Sequence, residues 1–124
     1  MRGLPGSGKS TKAASYGGTI VSADDFFTHD GEYHYNQFRT GEAHERCRMD
    51  FLIALSRGDS PVVVDNTNII KKEYEPYVQM AEDAGYDVII DTVQTDLTPQ
   101  DLAERNTHGV PVDVIEKMFV RWEE

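Results

Sequence analysis

The chain has 124 residues, 22 acidic and 12 basic, with a formal charge of −10, a length that holds one small domain and leaves no room for two. At 39% hydrophobic and 27% charged it has the composition of an ordinary globular protein, which excludes a disordered tail or a fibrous repeat. Its acidity argues against lying along duplex nucleic acid, where many phosphates must be neutralised, and leaves a strand end, a single phosphate or a small molecule as the partner.

In chain order, Gly3-Leu4-Pro5-Gly6-Ser7-Gly8-Lys9-Ser10 leads into a helix from Thr11 through Ala14. Thr19-Ile20-Val21-Ser22 is a β-branched run read as a buried strand. The aromatic loop Phe26 to Phe38 is long enough to shape an acceptor pocket. From Glu42 to Arg57, Ala43, Cys47, Phe51, Ala54 and Leu55 recur at helical steps, and Gly58 stands as the stop. Pro61 to Asp65 is a second strand. A helix from Ile70 to Ala84 is expected to take Asn68 as N-cap and to kink or restart at Pro76. Asp87 to Val93 is expected to be a third strand. Thr98-Pro99 is an N-cap with proline at the first helical position, opening a helix to about Asn106. The last helix starts at Pro111 and carries Ile115, Met118, Phe119 and Trp122 on one stripe.

Strands separated by helices at this spacing imply right-handed crossovers, and so an α/β fold with a parallel sheet flanked by helices. One cysteine, Cys47, makes neither an internal disulfide nor a thiolate cage and reads as a core residue. No apolar run approaches the roughly 18 to 20 residues that span a bilayer, and no leader pattern opens the chain, so a soluble cytoplasmic protein is expected. His29, His34, His44 and His108 lack the paired spacing of a zinc helix.

The Gly3–Ser10 block matches G-x-x-x-x-G-K-[ST] in full. Gly3, Gly6 and Gly8 permit dihedrals closed to other residues, so that amides around Ser7 can turn inward on phosphate oxygens, and the loop feeds a helix N-terminus that favours an anion. Lys9 then reaches the β- and γ-phosphates of ATP and the Ser10 hydroxyl ligates Mg²⁺, with Thr11 beside it. A strand normally precedes such a loop in mid-sheet, but only Met1 and Arg2 stand before Gly3. The expectation is therefore a single P-loop domain over residues 1–124 with its first strand missing or truncated.

Asp24-Asp25 follow the first strand at its carboxyl end, where open α/β sheets place ligands. Asp24 fits a base that orients and deprotonates an acceptor hydroxyl; a turn cap or an outer partner of Mg²⁺ are the alternatives. Asp65 ends an apolar strand of Walker-B form, where an aspartate holds Mg²⁺ through water or orients substrate, although Asp and Asn there also make turns. Arg105, near a helix end, either swings over the phosphates as a finger or is a solvated cation.

Five blocks in order resemble the polynucleotide 5′-hydroxyl kinase-like P-loop family, which includes phage polynucleotide kinases and eukaryotic ubiquitin-ligase-binding relatives. They are Gly3 to Thr11, Ser22-Ala23-Asp24-Asp25-Phe26-Phe27, Ala43-His44-Glu45-Arg46-Cys47, Val64-Asp65-Asn66-Thr67-Asn68 and Arg105-Asn106-Thr107-His108-Gly109-Val110-Pro111. The resemblance implies ATP-dependent, Mg²⁺-assisted transfer of a γ-phosphate to a hydroxyl, with a nucleic-acid 5′ end or a small hydroxyl compound as acceptor. It implies Lys9 and Ser10 in the phosphate loop, Asp24 as acceptor base and Arg105 in the lid. Phe27 stands where family enzymes active on 5′ ends carry an arginine, and a second lid arginine of the phage enzymes has no match. Nothing resembles their C-terminal phosphatase. A small-molecule kinase and an ATP-binding module with little transfer activity are the competing readings.

Overall fold

A computed structural model describes residues 1–124. Helix α1 (Lys9–Ser15) leads to strand β1 (Thr19–Val21), a 3-10 turn (Ala23–Phe27), the hairpin β2 (Thr28–His29) and β3 (Glu32–Tyr33), and the long helix α2 (Thr40–Ser56). Strand β4 (Val62–Val64), α3 (Lys71–Asp83), α4 (Pro99–Arg105) and α5 (Val112–Arg121) follow. β1 and β4 pair in parallel, Thr19 opposite Val62, and Asp65 N–H extends the ladder to Val21 O at 2.9 Å.

Beyond β4 the chain start takes the next place. The Met1 amine donates to Val64 O at 2.9 Å, and Arg2 forms a parallel bridge with Thr92, its N–H on Asp91 O and its carbonyl taking Val93 N–H, each at 2.8 Å. The loop at Gly3 is thus launched from between β4 and residues 91–93. The expected strand Asp87 to Val93 does not form; only the Thr92 bridge does, and Val88, Ile89 and Ile90 are exposed. The physical reason is local: β-branched residues become a strand only beside a partner backbone, and here that partner reaches Arg2 alone.

Two apolar clusters sandwich the site. Val21, Phe27, Ala43, Cys47, Phe51, Leu55, Tyr77 and Ala81 pack α2 and α3 on the sheet, with Cys47 buried as expected. Leu4, Ile69, Leu102 and Ile115 join the phosphate loop to the α4–α5 pair. Burying side chains as large as Leu102 and Ile115 contributes roughly 1.5–3 kcal/mol each. On the α5 stripe Ile115 is buried and Met118 and Trp122 are half-buried, but Phe119 faces out, because the partner surface covers less than the full stripe.

Two cap expectations need correction. Helix α3 takes Ile70, not Asn68, as N-cap, with Ile70 N–H on the Glu73 carboxylate at 3.4 Å. Asn68 is a left-handed turn residue (φ 49°) whose buried amide holds Met1 O at 2.8 Å. Pro76 does not restart α3, which runs unbroken through it; the ring lies on the exposed side and Tyr77 and Ala81 anchor the helix beyond it. Thr98 and Asp101 form the expected reciprocal cap of α4, and Gly58 (φ 76°) follows α2. No helix is long and apolar enough to cross a membrane.

Candidate nucleotide-binding site

A cleft of about 530 Å³ opens between the two apolar clusters. Its floor is the loop that leads into α1. Gly6 (φ 80°) and Gly8 (φ 93°) adopt left-handed backbone, and Gly8 is the N-cap of α1. Gly3 departs from the expected role: its φ is not left-handed, and what it needs is space, since a Cβ there would stand 2.8 Å from Ser7 Oγ. Gly6 needs both, because its Cβ position lies 2.5 Å from Leu102 O on α4. The phosphate loop is therefore seated on the helix that carries Arg105.

The residues present fit a triphosphate. The N–H groups of Gly8, Lys9 and Ser10 have no backbone acceptor and open the N-terminus of α1. Ser7 Oγ is buried with no hydrogen-bond partner. Lys9, Ser10 and Thr11 line the cleft, with Ser10 exposed, whereas Gly3, Ser7 and Asp65 are not part of its lining. Asp65, 7% exposed, holds Lys9 Nζ at 3.0 Å. The Lys9 ammonium is thereby held by a nearly dry carboxylate.

The segment after β4 ties this floor to the opposite wall. Thr67 O takes Gly3 N–H at 3.1 Å, and Asn66 Oδ1 takes Ala23 N–H at 2.9 Å, which fixes the turn bearing Asp24. Ser22 Oγ caps the same turn through Asp24 N–H at 3.2 Å, so Asp24 is not itself the cap. The half-buried Asp24 carboxylate lines the cleft and is met by Tyr33 Oη and His108 Nδ1, each at 3.2 Å. Burial and the neighbouring Asp24 charge push the Tyr33 phenol far above its ordinary range, which keeps it a donor at neutral pH.

Arg105, the last residue of α4, lines the cleft, is exposed, and pairs with no carboxylate. Lys9, Ser10, Asp24 and Arg105 are brought together; Asp65 sits one layer back. Phe27 is 5% exposed and packs edge-on against Phe26 and Tyr33, so its position offers the cleft an aromatic edge rather than a cation. Sequence reasoning passed over Tyr33 and His108. The turn residues Asp30 and Gly31, both left-handed (φ 52° and 81°), are the signal that could have aimed Tyr33 back at Asp24.

Comparison with known proteins adds the family. The model of the AAA domain family AAA_33 matches residues 1–123. NEDD4-binding protein 2 of Homo sapiens is 36% identical over 130 residues, an alignment covering 99% of this chain and 7% of that protein. The chain thus spans only a small part of this curated relative. P-loop domains of this kind generally bind a nucleotide with Mg²⁺ and act as kinases or NTPases. With its loop, its parallel strands and nearly its whole length matched, the chain belongs to the AAA_33 family of AAA domains.

Proposed function

We propose that this domain is an ATP-dependent phosphotransferase that moves the γ-phosphate to a hydroxyl, with a polynucleotide 5′-hydroxyl as the first acceptor class. The observation that carries the reading is the convergence of Lys9, Asp24 and Arg105, far apart in sequence, on one cleft floored by the phosphate loop. Asp24 stands on its own turn and lines the same cleft as the loop, where it can serve a second substrate.

The roles follow from charge. Amides of the loop and Lys9 neutralise the phosphates, Ser10 holds Mg²⁺ with Asp65 behind it, and Arg105 stabilises charge that develops on the transferred group. Asp24 accepts the hydrogen bond of the acceptor hydroxyl, orients its oxygen for in-line attack, and takes its proton as the new P–O bond forms and ADP leaves. A small hydroxyl compound is the second reading. It is favoured by buried Phe27, which brings no cation to an acceptor phosphate, and by the charge of −10.

The test offers γ-labelled ATP with 5′-hydroxyl oligonucleotides and, alongside, a nucleoside and sugar panel. Label on the oligonucleotides supports the first acceptor, and label on the panel alone supports the second. Nucleotide binding with no acceptor labelled refutes phosphotransfer. Asp24→Asn is expected to leave ATP affinity unchanged and lower transfer by roughly 10².

A further inference from the structure

Asp24 is held by two residues that the roles above do not use. Tyr33 ends the hairpin's return strand, opposite Thr28, and donates its phenol to Asp24 Oδ1 at 3.2 Å. His108 approaches from the other side of the cleft with Nδ1 3.2 Å from Oδ2. The two rings stack on each other, centroids 4.2 Å apart and planes 21° from parallel. Three parts of the chain that share no secondary-structure element therefore meet on one carboxylate.

The backbone under His108 is fixed. Asn106 Oδ1 accepts the N–H of His108 at 3.2 Å and of Val110 at 2.9 Å, while Asn106 Nδ2 donates to Ala103 O at 2.9 Å and to Val110 O at 3.2 Å. That side chain locks the loop onto the end of α4, where Arg105 is the last residue. A ring that stacks on Tyr33 is thus joined, through the turn that Asn106 braces, to Arg105.

We propose that Tyr33 and His108 are positioning residues, which grip the two oxygens of Asp24 and, through their stacked rings, set the Arg105 loop against the acceptor end of the cleft. The inference rests on the phosphotransfer reading. Tyr33 gives Oδ1 a donor and the His108 ring stands 3.2 Å from Oδ2, so both oxygens keep lone pairs for an acceptor hydroxyl while the two rings restrain the carboxylate from turning away. A tyrosine that only filled space would gain nothing from its hydroxyl. Hydrogen-bond partners that orient a reacting or ligating group are typically worth about 10- to 100-fold in function.

Two measurements on the full chain decide it. In the transfer assay, Tyr33→Phe keeps the ring and loses the hydroxyl, and His108→Ala loses the contact with Oδ2 and the stack. Each is expected to lower kcat about tenfold with the KM for ATP unchanged. His108→Asn, which returns a donor near the Nδ1 position, should recover part of the loss, and Tyr33→Phe should cost nothing more in the Asp24→Asn background. Losses that add fully to Asp24→Asn, or that fall on KM alone, overturn the proposal.

The second readout needs no activity. Amide hydrogen exchange over residues 105–111 should quicken several-fold in Tyr33→Ala and in Asp24→Asn, and much less in Tyr33→Phe, which keeps the stack. Unchanged exchange in Tyr33→Ala overturns the link between hairpin and loop. Should no acceptor be labelled by the wild-type chain, the phosphotransfer reading fails while the exchange result still stands for or against the grip.

Discussion

Replacing Gly6 by alanine probes the seating of the phosphate loop on α4, and Gly8→Ala is its internal control. Both glycines are left-handed, so each alanine carries a backbone cost of roughly 1–2 kcal/mol. At Gly8 nothing lies within 4 Å of the new methyl and the cost stops there. At Gly6 the methyl would stand 2.5 Å from Leu102 O and 3.2 Å from Asn106 N, both backbone atoms of the α4 terminus that cannot rotate aside. Relieving that overlap adds about 1–3 kcal/mol, for a total of roughly 2–5 kcal/mol against about 1–2 for Gly8→Ala. Urea unfolding followed by far-UV circular dichroism measures the two differences on one scale. Because α4 has to move, Gly6→Ala should also speed amide exchange around Arg105, which Gly8→Ala should leave alone. Equal destabilisation by the two substitutions, with equal exchange at Arg105, refutes the claim that this loop rests on the helix.

Other consequences concern the same walls. Lys9→Ala strands the Asp65 carboxylate, which is only 7% exposed, and should destabilise the fold by about 2–4 kcal/mol in urea, with Lys9→Ala/Asp65→Asn recovering most of it. Leu102→Ala empties a fully buried position between loop and α5 and should cost about 3–4 kcal/mol by the same assay. The Tyr16 hydroxyl and Lys12 ammonium hold the Asp91 carboxyl below the usual carboxylate range. A depressed carboxylate adds stability that is present above its unfolded pKa of about 4 and lost as pH falls through its folded value, so acid should loosen α1 from residues 91–93. Asp91→Asn should flatten that part of a stability-against-pH curve; an unchanged acid limb would contradict it.

What the sequence carried was whatever short-range chemistry decides. Thr98-Pro99 with Asp101 caps α4, Gly58 follows α2, and the apolar steps from Ala43 to Leu55 form the buried face of α2, because each signal acts within a turn or two of backbone. Asp87 to Val93 misled because a β-branched run states a preference, while a strand also requires a neighbour, and Arg2 is the only one it has. Asn68 misled because a cap and a left-handed turn favour the same residue type; the amide was taken by Met1 O, 67 positions away. The phosphate loop was legible as a motif, and Asp24 and Arg105 as candidates, but the meeting of Tyr33 and His108 on Asp24 joins residues 75 apart, and the Asp30-Gly31 turn marks only the Tyr33 half of it. Gly3 shows the same limit: its motif position was plain, while its reason, the space beside Ser7 Oγ, belongs to the fold.

Titration calorimetry of Mg²⁺–ATP into the full chain tests the central claim most directly, that the loop from Gly3 to Ser10 holds a nucleoside triphosphate through Lys9. One site per chain is predicted, with binding lost in a Lys9→Met variant that still unfolds cooperatively and kept in Asp24→Asn. Equal binding by wild type and folded Lys9→Met, or no uptake of Mg²⁺–ATP by the wild-type chain, would contradict it.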